Sequence, residues 1–95
     1  MEHLLNIDGL SELSVIGGDL FIFTNKNLTN LDGLSHLKTI NGELLIYNNP
    51  ILSNLNGLCG LEFIQGDIFF SKNNIINFNE LPFLAKLNGQ LHINR

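Results

Sequence analysis

Residues 28 to 49 read LTNLDGLSHLKTINGELLIYNN, and within them Leu28, Leu31, Leu34, Leu37, Ile40, Leu44 and Ile46 recur at spacings of three, three, three, three, four and two. The same rhythm runs through Leu4, Ile7, Leu10, Leu13, Ile16, Leu20 and Ile22 before it. It continues through Leu52, Leu55, Leu58, Leu61, Ile64, Ile68 and Phe70, then Ile75, Phe78, Leu81, Leu84, Leu87, Leu91 and Ile93. Every one of these positions holds Leu, Ile or Phe, so the chain divides into repeats 4-27, 28-51, 52-74 and 75-95. An internal repeat of this length is the signature of stacked supersecondary units, each too small to bury its own apolar side.

The spacing decides what each unit is. A long amphipathic helix needs mixed spacings of three and four, and glycines at 9, 17, 18, 33, 42, 57, 66 and 89 would each weaken it by about 1 kcal/mol. The spacing of two in Leu20-Phe21-Ile22, Leu44-Leu45-Ile46, Ile68-Phe69-Phe70 and Leu91-His92-Ile93 is that of a strand with one face buried. The spacing-three stretch suits short extended pieces or tight turns that carry every third side chain inward. The expected fold is therefore β: a solenoid with parallel sheets, with four coils of about 24 residues in a single domain spanning 1-95.

The run formed by Leu28, Leu31, Gly33-Leu34, Leu37, Ile40, Gly42, Leu44, Ile46 and Asn49 resembles the receptor L-domain, the right-handed parallel β-helix (a leucine-rich-repeat-like solenoid) of the insulin and epidermal-growth-factor receptor ectodomains and of fungal wall-anchored relatives. The resemblance covers essentially the whole chain. It implies a ligand-binding module displayed extracellularly or at the cell surface, with contact on the outward face of the sheet. The chain departs from that family in having no disulfide-bonded caps, since Cys59 is the single cysteine.

Composition narrows the functional classes. Nine acidic against five basic residues give a net charge of −4, without the clustered Lys and Arg that phosphate backbones require, so no nucleic-acid partner is expected. No apolar run reaches the roughly 18 residues of a membrane helix, so no membrane span is expected. Met1-Glu2-His3 carries no signal-peptide pattern, which leaves a cytoplasmic chain open beside a processed one. His3, His36 and His92 fall in different columns of the repeat with no Ser or Cys at a matching offset, so the chain is read as non-enzymatic and free of cofactors and metals. A hydrolase on a β-helix scaffold would need carboxylates clustered in a groove with basic residues, and the columns offer none.

Other columns have structural readings. Asn25, Asn49 and Asn73 end three strands, and a stack of Asn amides there satisfies corner donors and acceptors. Asn6, Asn30, Asn54 and Asn77 form a second Asn column, read in the same way. Asp8-Gly9, Asp32-Gly33 and Asn56-Gly57 read as turns in which Gly takes a positive φ. Asp19, Glu43 and Asp67 make a solvated acidic stripe, and Cys59 reads as a small space-filling thiol. Asn27-Leu28-Thr29 is the only N-x-[ST] sequon and carries little weight in an Asn-rich chain.

Two surfaces are candidates for function. The outward strand positions Phe21, Phe23, Leu45, Tyr47, Phe69 and His92 are mostly large, apolar or aromatic where an exposed sheet normally carries polar groups. Such a stripe fits a protein ligand. The alternative is a structural subunit that assembles head to tail into filaments with further copies of itself. Leu4, Ile7 and Leu10 edge one end and Leu84, Leu87, Leu91 and Ile93 the other, without polar caps. The junction LHINRMEHLLNIDGL between two copies keeps the repeat in register.

Overall fold

The computed structural model describes residues 12–75 and 88–94. Its described residues are mainly β, with parallel strands in two sheets. The larger sheet has the order β2-β4-β6-β7, with β2 at Leu20–Phe23, β4 at Leu44–Asn49, β6 at Ile68–Asn73 and β7 at Leu91–Asn94. The smaller has the order β1-β3-β5, formed by Val15–Ile16, Thr39–Ile40 and Phe63–Ile64. Leu20 pairs with Leu44, Leu44 with Ile68 and Ile68 with Leu91, so neighbouring strands are offset by 24, 24 and 23 residues. Those offsets equal the sequence period, which places each repeat directly against its neighbours.

Between the two sheets the inward columns meet. Leu20, Ile22, Leu28, Leu31, Leu34, Leu37, Ile40, Leu44 and Ile46 are buried, as are their counterparts from Leu52 to Phe70 and Ile75, with Leu13 and Ile16 packed partly against them. Strand alternation explains the exchange of sides in β4, where Leu44 and Ile46 face the core while Leu45 is half-buried and Tyr47 exposed. Leu91 and Ile93 of β7 continue the inward columns but are 37% and 45% exposed. Leu4, Ile7, Leu10, Phe78, Leu81, Leu84 and Leu87 lie outside the described residues.

The spacing-three stretch becomes two kinds of element. Residues 15-16, 39-40 and 63-64 add a two-residue strand per repeat to the small sheet. Asp32–Leu34 and Asn56–Leu58 form 3-10 helices, whose three-residue turn keeps Leu31, Leu34 and Leu37 on one side. This corrects the turn reading of Asp32-Gly33 and Asn56-Gly57, because no described glycine has a positive φ. Gly57 is required for space instead: a Cβ there would run into the Leu31 carbonyl of the preceding repeat. The left-handed positions are Thr24 (φ 56°), Asn48 (φ 58°) and Lys72 (φ 56°), which follow the outward pairs at the corner of the large sheet.

The Asn columns differ from each other. Asn49 Nδ2 donates to Asn73 Oδ1 at 3.0 Å, and Asn49 Oδ1 accepts from Asn25 Nδ2 at 2.9 Å and from the Asn25 backbone N–H at 3.2 Å. Asn25 and Asn49 are fully buried. Asn30 and Asn54 do not stack: each Oδ1 accepts the backbone N–H two residues on, from Asp32 at 3.0 Å and Asn56 at 3.1 Å, which starts the 3-10 helix. Their role is local, because a side chain this close to a helix start finds unsatisfied N–H groups in its own segment before it reaches a neighbour. Cys59 is exposed at the end of the second 3-10 helix rather than filling space.

Candidate functional site

The outward face of the large sheet is built by the same alternation that buries its inner face. Phe21, Leu45, Phe69 and His92 are paired in register across β2, β4, β6 and β7, and Phe23, Tyr47 and Ser71 form the adjoining column. All six residues of the stripe therefore lie in two neighbouring columns on one surface. Phe21 is 41% and Tyr47 38% exposed, His92 is exposed, and Phe23, Leu45 and Phe69 are half-buried by their neighbours.

Side-chain contacts link neighbouring strands at two places on this surface. The Phe69 and His92 rings stack with centroids 4.6 Å apart and planes 6° from parallel. Lys72 Nζ lies 5.8 Å from the Tyr47 ring centroid, within reach of a cation–π attraction. Cross-strand contacts of this kind hold side chains in place before any partner arrives, which lowers the entropy lost on binding.

Along the edge that leads into the strands run Asp19, Glu43 and Asp67, two residues before the aromatic columns. They are more than a solvated stripe. Asp19 Oδ1 accepts the Glu43 N–H at 2.8 Å, and Asp67 Oδ1 accepts the Gln90 N–H at 2.8 Å, so each aspartate satisfies a donor of the next repeat. Among the described residues no three His, Cys, Asp or Glu side chains converge as metal ligands. Among them, too, no helix is long and apolar enough to cross a membrane.

Large apolar side chains are exposed elsewhere as well. Val15 (52%) and Phe63 (37%) flank Thr39 on the small sheet, and Ile51 (46%) lies beyond β4. Sequence reasoning missed the first two because a two-residue strand has no alternation to read. A shallow depression of about 440 Å³ between the repeats is lined by Glu12, Ser14, His36 and Lys38, all exposed.

The family model of the receptor L domain matches residues 13–95. The chain belongs to the receptor L-domain family. No curated protein and no solved structure matches it significantly. Receptor L domains are non-enzymatic binding domains that serve as ligand-binding modules of receptors and are typically extracellular. In this L domain the two parallel sheets and the Gly42, Leu44 and Ile46 pattern fall inside the matched span.

Proposed function

We propose that this receptor L domain is a four-coil, right-handed β-helix acting as a non-catalytic recognition module, which binds a protein ligand through the outward face of its large sheet. The observation that carries the reading is the in-register pair of columns containing Phe21, Phe23, Leu45, Tyr47, Phe69 and His92. Aromatic side chains combine large contact area with few rotatable bonds, which is why they dominate the energetics of protein interfaces. The Asn25, Asn49 and Asn73 ladder supports the face from behind and takes no part in ligand contact. An extracellular setting accords with the family.

The test pairs two surfaces. Phe21→Ser with Tyr47→Ser removes two exposed anchors of the stripe, and should weaken a protein ligand by about 2 kcal/mol or more, roughly thirtyfold. Phe63→Ser on the small sheet should leave affinity within about threefold, as expected of a residue outside the interface. Equal losses from both would place recognition elsewhere.

A second reading is favoured by Leu91 and Ile93, whose inward columns run on into solvent along β7. In it, copies of the chain stack head to tail through the repeat ends, an open heterologous association. Light scattering across a concentration series separates the two: recognition leaves a discrete species, whereas stacking gives a mass that climbs with concentration. Lys in place of Leu91 should stop that climb.

A further inference from the structure

We propose that Asn41 is a site of spontaneous backbone modification, at which the folded chain converts its own Asn41-Gly42 step to an aspartyl or isoaspartyl linkage. Three Asn-Gly steps occur in the sequence, at Asn41-Gly42, Asn56-Gly57 and Asn88-Gly89. All share the chemistry: a glycine amide has no side chain to hinder its attack on the preceding asparagine. What distinguishes them is how the fold holds each one.

Asn56 begins a 3-10 helix, with its N–H held by Asn54 Oδ1 at 3.1 Å, and Gly57 is buried against the Leu31 carbonyl. Helical backbone angles point the next amide nitrogen away from the side-chain carbon. Asn88 is tied at the leaving group itself, because its Nδ2 donates to the Gln65 carbonyl at 3.3 Å. Asn41 is exposed on the bend between β3 and β4, and its side-chain amide makes no hydrogen bond among the described residues. The Gly42 N–H likewise has no acceptor among them, whereas the equivalent Gly66 N–H is held by the Gly42 carbonyl at 2.9 Å. Of the three steps, only Asn41-Gly42 is held neither in a 3-10 helix nor by a hydrogen bond at the nucleophile or the leaving group.

The reaction needs water and base alone. Hydroxide removes the Gly42 amide proton, the nitrogen attacks Cγ of Asn41, and the Cγ–Nδ2 bond breaks. Nδ2 takes up a proton and departs as ammonia, leaving a five-membered succinimide. Water then opens either ring carbonyl, giving aspartate at one and isoaspartate at the other, with no oxidant or reductant involved. Isoaspartate moves a methylene into the main chain within a tightly pinned segment. Asn41 N–H donates to the Ile16 carbonyl at 2.9 Å, the Glu43 N–H to Asp19 Oδ1 at 2.8 Å and the Leu44 N–H to the Asp67 carbonyl at 3.0 Å. A lengthened chain cannot keep all three, so the isoaspartyl product should lose the register between the two sheets.

The test is peptide mapping by mass spectrometry on the full chain, incubated in mildly alkaline buffer both folded and in urea. Folded chain should gain one mass unit at Asn41 severalfold faster than at Asn56 or Asn88, and the three rates should converge in urea. The isoaspartyl fraction should unfold at lower denaturant than the Asn41→Asp variant, which carries the same charge on an unaltered backbone. Faster conversion at Asn56 or Asn88 in the folded chain would overturn the proposal. So would an unchanged order of rates in urea, or an isoaspartyl fraction as stable as the variant.

Discussion

Replacing Asn49 by Ala removes the centre of a buried amide ladder, and its cost follows from the groups left behind. The Asn49 side chain accepts two hydrogen bonds from Asn25, at 2.9 and 3.2 Å, and donates to Asn73 Oδ1 at 3.0 Å and to the Ile22 carbonyl at 3.1 Å. Asn73 Oδ1 keeps the Asn49 backbone N–H at 3.1 Å, and Asn73 Nδ2 keeps the Ile46 carbonyl at 2.8 Å, so the lower part of the ladder survives. The loss falls on Asn25, which is fully buried and forfeits an acceptor for both its backbone N–H and its side-chain amide. Loss of these two buried hydrogen bonds at about 1 to 3 kcal/mol each, eased by water entering the vacated volume, gives an expected loss of about 3 kcal/mol. The comparison is Asn30→Ala, which removes one half-buried local cap and should cost about 1 kcal/mol or less. Urea unfolding of the three chains, with the slope held common, measures both. If Asn49→Ala loses no more than Asn30→Ala, the buried ladder is not a major source of stability and its assignment to the framework is wrong.

Gly57→Ala should destabilise by about 3 kcal/mol or more, because its Cβ meets the Leu31 backbone, whereas Gly17→Ala, with open space around it, should be neutral or gain up to about 1 kcal/mol; paired melting curves decide. Leu34→Ala or Leu58→Ala, at fully buried sites in the middle repeats, should cost about 2 to 5 kcal/mol, and a loss below about 1 kcal/mol at both in chemical denaturation would contradict close packing there. Thr24→Asn should raise the unfolding free energy modestly, by up to about 1 kcal/mol in urea denaturation, since a β-branched residue is strained at φ 56° and the equivalent corner already holds Asn48.

The inward columns were legible because each repeats in register: Leu31 and Leu55 are interchangeable in spacing, and burial follows from periodicity alone. The outward stripe was legible for the same reason, since Phe21, Leu45 and Phe69 sit one residue from an inward position in each strand. Other features depend on backbone direction, which composition does not carry. Asn25 and Asn30 are the same residue type in equally regular columns, yet one bonds across repeats and the other caps its own helix. The corner at Thr24, Asn48 and Lys72 shares a conformation without sharing a side chain, so no motif marks it. Glycine at 57 reads as a turn former when only one strand of sequence is in view. Its need for space becomes evident once the next repeat lies against it. The exposed Val15 and Phe63 were hidden because two-residue strands give no alternation from which a face can be assigned.

The claim that recognition lies on the large sheet is tested most directly by hydroxyl-radical footprinting of the chain with and without its protein ligand, read side chain by side chain. Phe21, Tyr47, Val15 and Phe63 are all exposed in the free chain and should all take up label. With ligand bound, labelling should fall at Phe21 and Tyr47 and stay unchanged at Val15 and Phe63. Protection of Val15 and Phe63 with Phe21 and Tyr47 still labelled would contradict the account.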